Sequence, residues 1–108
     1  MTNIIGTIAD LKRDVIAGHF FDKATMSFFN SRVESGIYRT GPRTGYFVTS
    51  EQFEDEPRHY TVRAYGSEDG VTAGGISSVD ELYGMATRSA ARDAADELAR
   101  KDRAAKTQ

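Results

Sequence analysis

Hydrophobic spacing changes along this chain from a period of about 3.6 residues to a period of 2 and back again. That order restricts the fold more than any other feature, because helical and strand patterns bury different faces. Thr7-x-x-Asp10 reads as a capping box with Asp in the place of Glu, and Ile8, Leu11 and Val15 then mark one face of a helix running to Gly18. Asp22 is a good N-cap for a second, short helix, with Phe21 and Met26 spaced as a hydrophobic staple. The aromatics between 20 and 29 sit at helical spacing and read as a core corner in preference to a cofactor box. Alternation then takes over. Val33, Ser35 and Ile37 oppose Arg32, Glu34 and Gly36, and Tyr46-Phe47-Val48-Thr49 is strongly β-prone, so 32–38 and 46–50 form a hairpin across the loop 39–45. His59 to Tyr65 is a third strand with Tyr60, Val62 and Ala64 on its core side, and 66–70 is a turn.

The helical period returns at Thr87. Alanines at 90, 91, 94, 95 and 99 with Leu98 form one face, and Arg92–Asp96, Asp96–Arg100 and Glu97–Lys101 are spaced as i,i+4 ion pairs. Alanine buries little surface, so such a helix is expected to lie close on the sheet. Between these regions, 76–86 reads two ways. Ser78-x-x-Glu81 with Val79, Leu82, Tyr83 and Ala86 has helical spacing, while Gly84 inside a helix costs about 1 kcal/mol relative to Ala. The expected class is α+β: an antiparallel sheet of three to four strands packed against N-terminal helices and a long C-terminal helix. One domain is expected over 1–103, with 104–108 frayed; 108 residues do not suffice for two.

Charge and composition narrow the function classes. Residues 1–50 carry six basic and four acidic groups, 51–56 add four carboxylates, and eight of each sign cancel from Pro57 onward. The net charge of −2 lacks the basic excess of a dedicated nucleic-acid binder. Cysteine is absent, which removes disulfides, thiol catalysis and thiolate-bound zinc and suits a reducing cytoplasm. The opening Met1-Thr2-Asn3-Ile4-Ile5-Gly6 has no basic-then-apolar leader pattern, and no apolar run approaches the roughly 20 residues of a bilayer span, so a cytoplasmic protein with no membrane role is expected.

No catalytic constellation is visible. His19 and His59 stand 40 residues apart with no zinc spacing around either, and read as boundary residues. Gly66, Gly70, Gly74 and Gly75 are turn glycines without a phosphate-loop context, and no serine occupies a nucleophile elbow. No enzyme, no metal and no cofactor is expected. Two surface features remain. The acidic stretch Glu51, Phe53, Glu54, Asp55 and Glu56 lacks a calcium-loop pattern; its one aromatic either plugs the sheet edge or is offered to a basic partner surface. Arg39 and Arg43, beside Tyr38 and Tyr46, are candidate contacts for a phosphate or an acidic partner.

Several strings carry a resemblance: Thr7-Ile8-Ala9-Asp10-Leu11-Lys12, Gly18-His19-Phe20-Phe21, Thr25-Met26 with Phe28-Phe29-x-Ser31-Arg32-Val33, Tyr46-Phe47-Val48-Thr49-Ser50-Glu51, and Arg58-x-Tyr60-Thr61-Val62-Arg63. Together they resemble a widespread family of small, uncharacterised proteins encoded by bacteriophages and related mobile elements. The match spans about residues 7–65, with the last third looser. The resemblance implies a strand after the third one, which assigns 76–86 to a fourth strand although Asp80-Glu81-Leu82-Tyr83 departs from the family pattern there. It also implies an accessory protein that binds a host protein, possible forms including inhibition of a host defence system of the anti-CRISPR kind. A second likeness is to the double-stranded-RNA-binding topology. Gly41-Pro42 and Thr87-Arg88-x-x-Ala91-Arg92-x-Ala94-Ala95 are similar to its loop and second-helix motif, with Arg88-Ser89 where that motif has paired lysines. This implies the alternative function, a nucleic-acid-binding module using Arg39, Arg43, Arg88 and Arg92.

Overall fold

A computed structural model describes residues 4–13, 17–28, 30–42, 44–66, 76–79, 82 and 84–106. Val15, Phe29, Arg43, the turn 67–70, Gly74, Gly75, Asp80, Glu81, Tyr83 and the side chain of His19 lie outside the described residues. The first helix, α1, spans Ile8–Arg13 and opens on the capping box: Asp10 N–H donates to Thr7 Oγ1 (3.1 Å), and the Asp10 carboxylate accepts from the Thr7 and Gly6 amides (3.2 and 3.1 Å). Those backbone amides, the Thr7 hydroxyl and the nearby Arg13 hold the Asp10 carboxyl below its ordinary value. A 3₁₀ turn follows at Ala17–Phe21, in place of a single helix to Gly18, and α2 spans Lys23–Phe28, with Asp22 accepting at its carbonyl from Met26 N–H (2.9 Å).

The sheet is antiparallel and centres on β3 (Gly45–Glu51) and β4 (His59–Tyr65), which pair over their whole length from Gly45↔Tyr65 to Glu51↔His59. The expected first strand is split: β1 (Arg32–Val33) and β2 (Tyr38–Arg39) both pair with β3. Between them the Ser35 hydroxyl accepts from Val48 N–H (2.8 Å), so a side chain replaces the backbone rung of the ladder. On the far side β5 (Ile76–Ser78) pairs with β4, and a bridge between Tyr60 and Met85 extends that edge. The region 76–86 is therefore on the strand side of its two readings; Gly84 holds φ +69°, a conformation that ends any helix there.

The two faces of the β3–β4 pair bury different sets. On one, Phe47 and Tyr65 meet Ile5 and Leu11, with Phe20 and Phe21 against them; Phe20 stands edge-on to Phe47 at 6.1 Å between ring centres. On the other, Val48 and Val62 meet Ala91 and Ala95 of α3 (Arg88–Lys106), as the alanine pattern requires. Each fully buried Val or Phe contributes about 1.5–3 kcal/mol. Thr87 caps α3 through Ala90 N–H (3.1 Å), and two of the three expected ion pairs form, Asp96–Arg100 (3.3 Å) and Glu97–Lys101 (3.1 Å). The helix continues to Lys106, past the end expected at 103. Among the described residues no helix is long and apolar enough to cross a membrane.

Candidate functional site

The β3–β4 connection carries the acidic stretch, and the structure divides it. Glu51 is not part of the turn. It is the last residue of β3 and is only 6% exposed, because the β period turns its side chain to the α1 face, where Arg63 and Thr61 receive it. The turn proper begins after it: Glu56 N–H donates to the Phe53 carbonyl (2.9 Å), and Gln52 Nε2 closes onto the Glu56 carbonyl (3.2 Å). Phe53 is 44% exposed, and Glu54, Asp55 and Glu56 are all exposed. Glu54 holds φ +49°, the left-handed region, which costs a non-glycine residue roughly 1 kcal/mol.

Opposite this turn stands the end of α2. Phe28 is 76% exposed, which corrects its reading as part of a core corner; Phe20 and Phe21 fill that corner alone among the described aromatics of 20–29. Arg58 ties the two walls together, its Nη1 donating to the Asn30 carbonyl and to Ser50 Oγ, both at 2.8 Å. Between the walls lies a groove of about 680 Å³ lined by Phe28, Gln52, Phe53 and the three carboxylates. His59 Nε2 lies 4.0 Å from Oε2 of Glu56, one of those carboxylates.

Phe28 also walls a second concavity, of about 400 Å³, shared with Phe20, Ala24 and Met26 and rimmed by Thr25 and Ser31. Arg63 is its one charged lining group among the described residues. That guanidinium donates from Nε to Thr49 Oγ1 (3.1 Å), lies 3.4 Å from Glu51 Oε2, and stacks 5.3 Å from the centre of the Phe20 ring. Thr61 Oγ1 donates to Glu51 Oε1 (3.1 Å) and accepts from Gly84 N–H (3.3 Å). This cluster was not read from the sequence; the only signal for it is period 2, which puts positions 49, 51, 61 and 63 on one face. Among the described residues, neither rim hydroxyl is hydrogen-bonded to a base.

Of the arginines read as nucleic-acid contacts, the three described ones, Arg39, Arg88 and Arg92, do not form one cluster. Arg88 pairs with the Glu34 carboxylate (3.7 Å), and Arg92 Nε donates to the Glu34 carbonyl (2.7 Å). Arg39 lies toward the other end of α3, where its carbonyl accepts from Arg103 (2.8 Å). Arg103 was not singled out in the sequence. Two tyrosines are perturbed, both away from the groove. Burial and then the Asp102 carboxylate, 2.5 Å from its hydroxyl, push Tyr46 up to about 12. Burial pushes Tyr65 up to about 12 as well, and its hydroxyl donates to the Ile5 carbonyl (3.2 Å). No group of three or more His, Asp or Glu that would hold a metal ion occurs among the described residues.

Compared with known proteins, residues 7–96 match the model of a family of unknown function, DUF7447. No curated protein matches, and no solved structure matches.

Proposed function

We propose that this chain, which belongs to DUF7447, is a non-enzymatic accessory protein that acts by binding another protein in the groove between Phe28 and the 53–56 turn. One observation carries the reading: two exposed aromatic rings and three exposed carboxylates line one concavity. Aromatics at a partly desolvated centre supply most binding energy in protein interfaces, while surrounding charge steers the encounter. The unfavourable φ at Glu54 supports it further, since backbone strain collects where a loop serves binding. The likeness of residues 7–65 to small phage-encoded proteins supports a bacteriophage source and a host protein as partner. Inhibition of a host defence system, of the anti-CRISPR kind, is the form of action that this source favours.

The test is affinity capture from host lysate, run in parallel with wild type, Phe53→Ala and the pair Glu54→Lys/Asp55→Lys. One host protein retained by wild type and lost from both folded variants is expected, together with rescue of phage plating on a defended host by wild type only. Equal capture by all three chains refutes the groove as the partner site.

A further inference from the structure

The acidic groove accounts for steering but not for selectivity, since any basic segment is drawn to three carboxylates. The concavity on the other side of Phe28 has different chemistry. Phe20, Ala24, Met26 and Phe28 give it apolar walls, and Arg63 is its one charged lining group among the described residues. Arg63 is already balanced: Glu51, buried at 6% exposure, lies 3.4 Å from its Nη2. An anionic ligand drawn to Arg63 would also meet the field of that carboxylate, so an anion gains little here. A guanidinium has five N–H donors. Nε serves Thr49 and Nη2 faces Glu51, and the guanidinium borders the cavity with donors in excess of those contacts. The chemistry that satisfies such a site is a neutral apolar group carrying one hydrogen-bond acceptor, and a peptide's side chain with its own carbonyl is that combination. The volume, about 400 Å³, has room for one large side chain and its flanking backbone.

We infer that this cavity is the selectivity subsite of the same groove: it takes one apolar side chain of an extended basic segment, Arg63 donates to that segment's carbonyl, and a neighbouring Lys or Arg faces Glu54, Asp55 and Glu56. The inference rests on the groove being the partner site. Charge complementarity names the occupant. A basic residue belongs at the acidic end, and a neutral one belongs over the compensated Arg63. Phe28, lining both concavities, is the ridge the segment crosses.

The probe is a blocked Lys-Lys-Leu-Lys-Lys peptide titrated into the isotopically labelled full chain, read by amide shifts. Two controls replace its Leu by Ser or its Lys residues by Glu. Thr25 and Ser31 report on the cavity; Gln52, Asp55 and Glu56 report on the groove. Saturable shifts in both groups are expected. The Ser peptide is expected to lose the Thr25 and Ser31 shifts and to bind about tenfold more weakly, and the Glu peptide to shift neither group. Phe28→Ala, at a largely exposed position, is expected to keep the fold and lose the cavity response. Groove shifts that ignore the Leu-to-Ser change overturn the subsite while leaving the groove reading standing. Cavity shifts without groove shifts overturn the groove reading, and no shift in either group overturns both. Cavity shifts with the Glu peptide overturn the basic character of the occupant. Thr25 and Ser31 shifts that follow protein concentration without peptide assign the cavity to a second copy and also overturn the proposal.

Discussion

Replacing Arg63 with Met removes the one ion-pair partner, among the described residues, of the Glu51 carboxylate, which is 6% exposed. Glu51 would keep the Thr61 hydroxyl on Oε1, while Oε2, which has no hydrogen bond besides that ion pair, would be left charged and buried. Breaking a buried pair from one side costs about 3–5 kcal/mol, chiefly through the charge left behind. The opposite change, Glu51→Gln, strands less. Arg63 is 20% exposed at its side chain, keeps Thr49 and the Phe20 ring, and can turn toward water, so a loss near the lower end of about 1.5–3 kcal/mol is expected. Converting both residues to Met removes both charges, and its cost is expected to fall below that of Arg63→Met alone. The measurement is urea unfolding followed by circular dichroism, with melting temperatures beside it. For a domain of this size each kcal/mol lowers the melting temperature by about 4 °C, so Arg63→Met is expected to lose about 12–20 °C. A loss below about 1 kcal/mol for Arg63→Met, or a double variant costing the sum of the singles, refutes the buried pair.

Three further outcomes follow from the geometry. Gly45→Ala would place a methyl 2.6 Å from the Tyr38 carbonyl and 2.7 Å from the Tyr65 hydroxyl, and is expected to lower unfolding stability by about 1–3 kcal/mol; a neutral change contradicts the close approach of β2 to β3. Tyr46 and Tyr65 stay neutral in the fold up to about 12, so their contribution is intact below 10, the ordinary tyrosine value. It declines as the unfolded chain ionises between the two values. Urea midpoints are expected to drop across that window, less so in Tyr46→Phe and Tyr65→Phe. Duplex RNA and DNA are expected to give no gel shift at about 50 mM salt, because Arg88 and Arg92 are engaged by Glu34 and a strong shift lost at about 200 mM would instead favour the nucleic-acid module.

What the sequence made legible was local. The Thr7/Asp10 box, the Thr87 cap and the alanine face of α3 each depend on residues within a few positions of one another, and each forms as its spacing requires. The alternation at 60–64 likewise put Tyr60 and Val62 on one face of β4, because period 2 is a property of the backbone. Long-range partners were not legible. Nothing in the run 51–56 distinguishes Glu51 from its neighbours until β3 is seen to extend one residue farther and Arg63 to arrive from β4. Ser35 reads as an ordinary strand position, yet its hydroxyl replaces a backbone rung and splits the strand in two. Phe28 belongs to the same aromatic-rich stretch as the half-buried Phe20 and Phe21, and its 76% exposure has no signal in that spacing. The candidate site was thus half visible, its acidic turn by composition and its apolar wall not at all.

The association rate of the captured partner with wild type and with Glu54→Lys/Asp55→Lys, measured from low to high salt, tests the central claim most directly. The carboxylates are exposed and their turn is closed by backbone and Gln52 bonds, so the double variant keeps the fold. Steering by the groove predicts that the variant associates about tenfold or more slowly at low salt, with the two rates converging as salt screens the charges. Equal association rates at low salt, in a variant shown to be folded, contradict the claim that the 53–56 turn receives the partner.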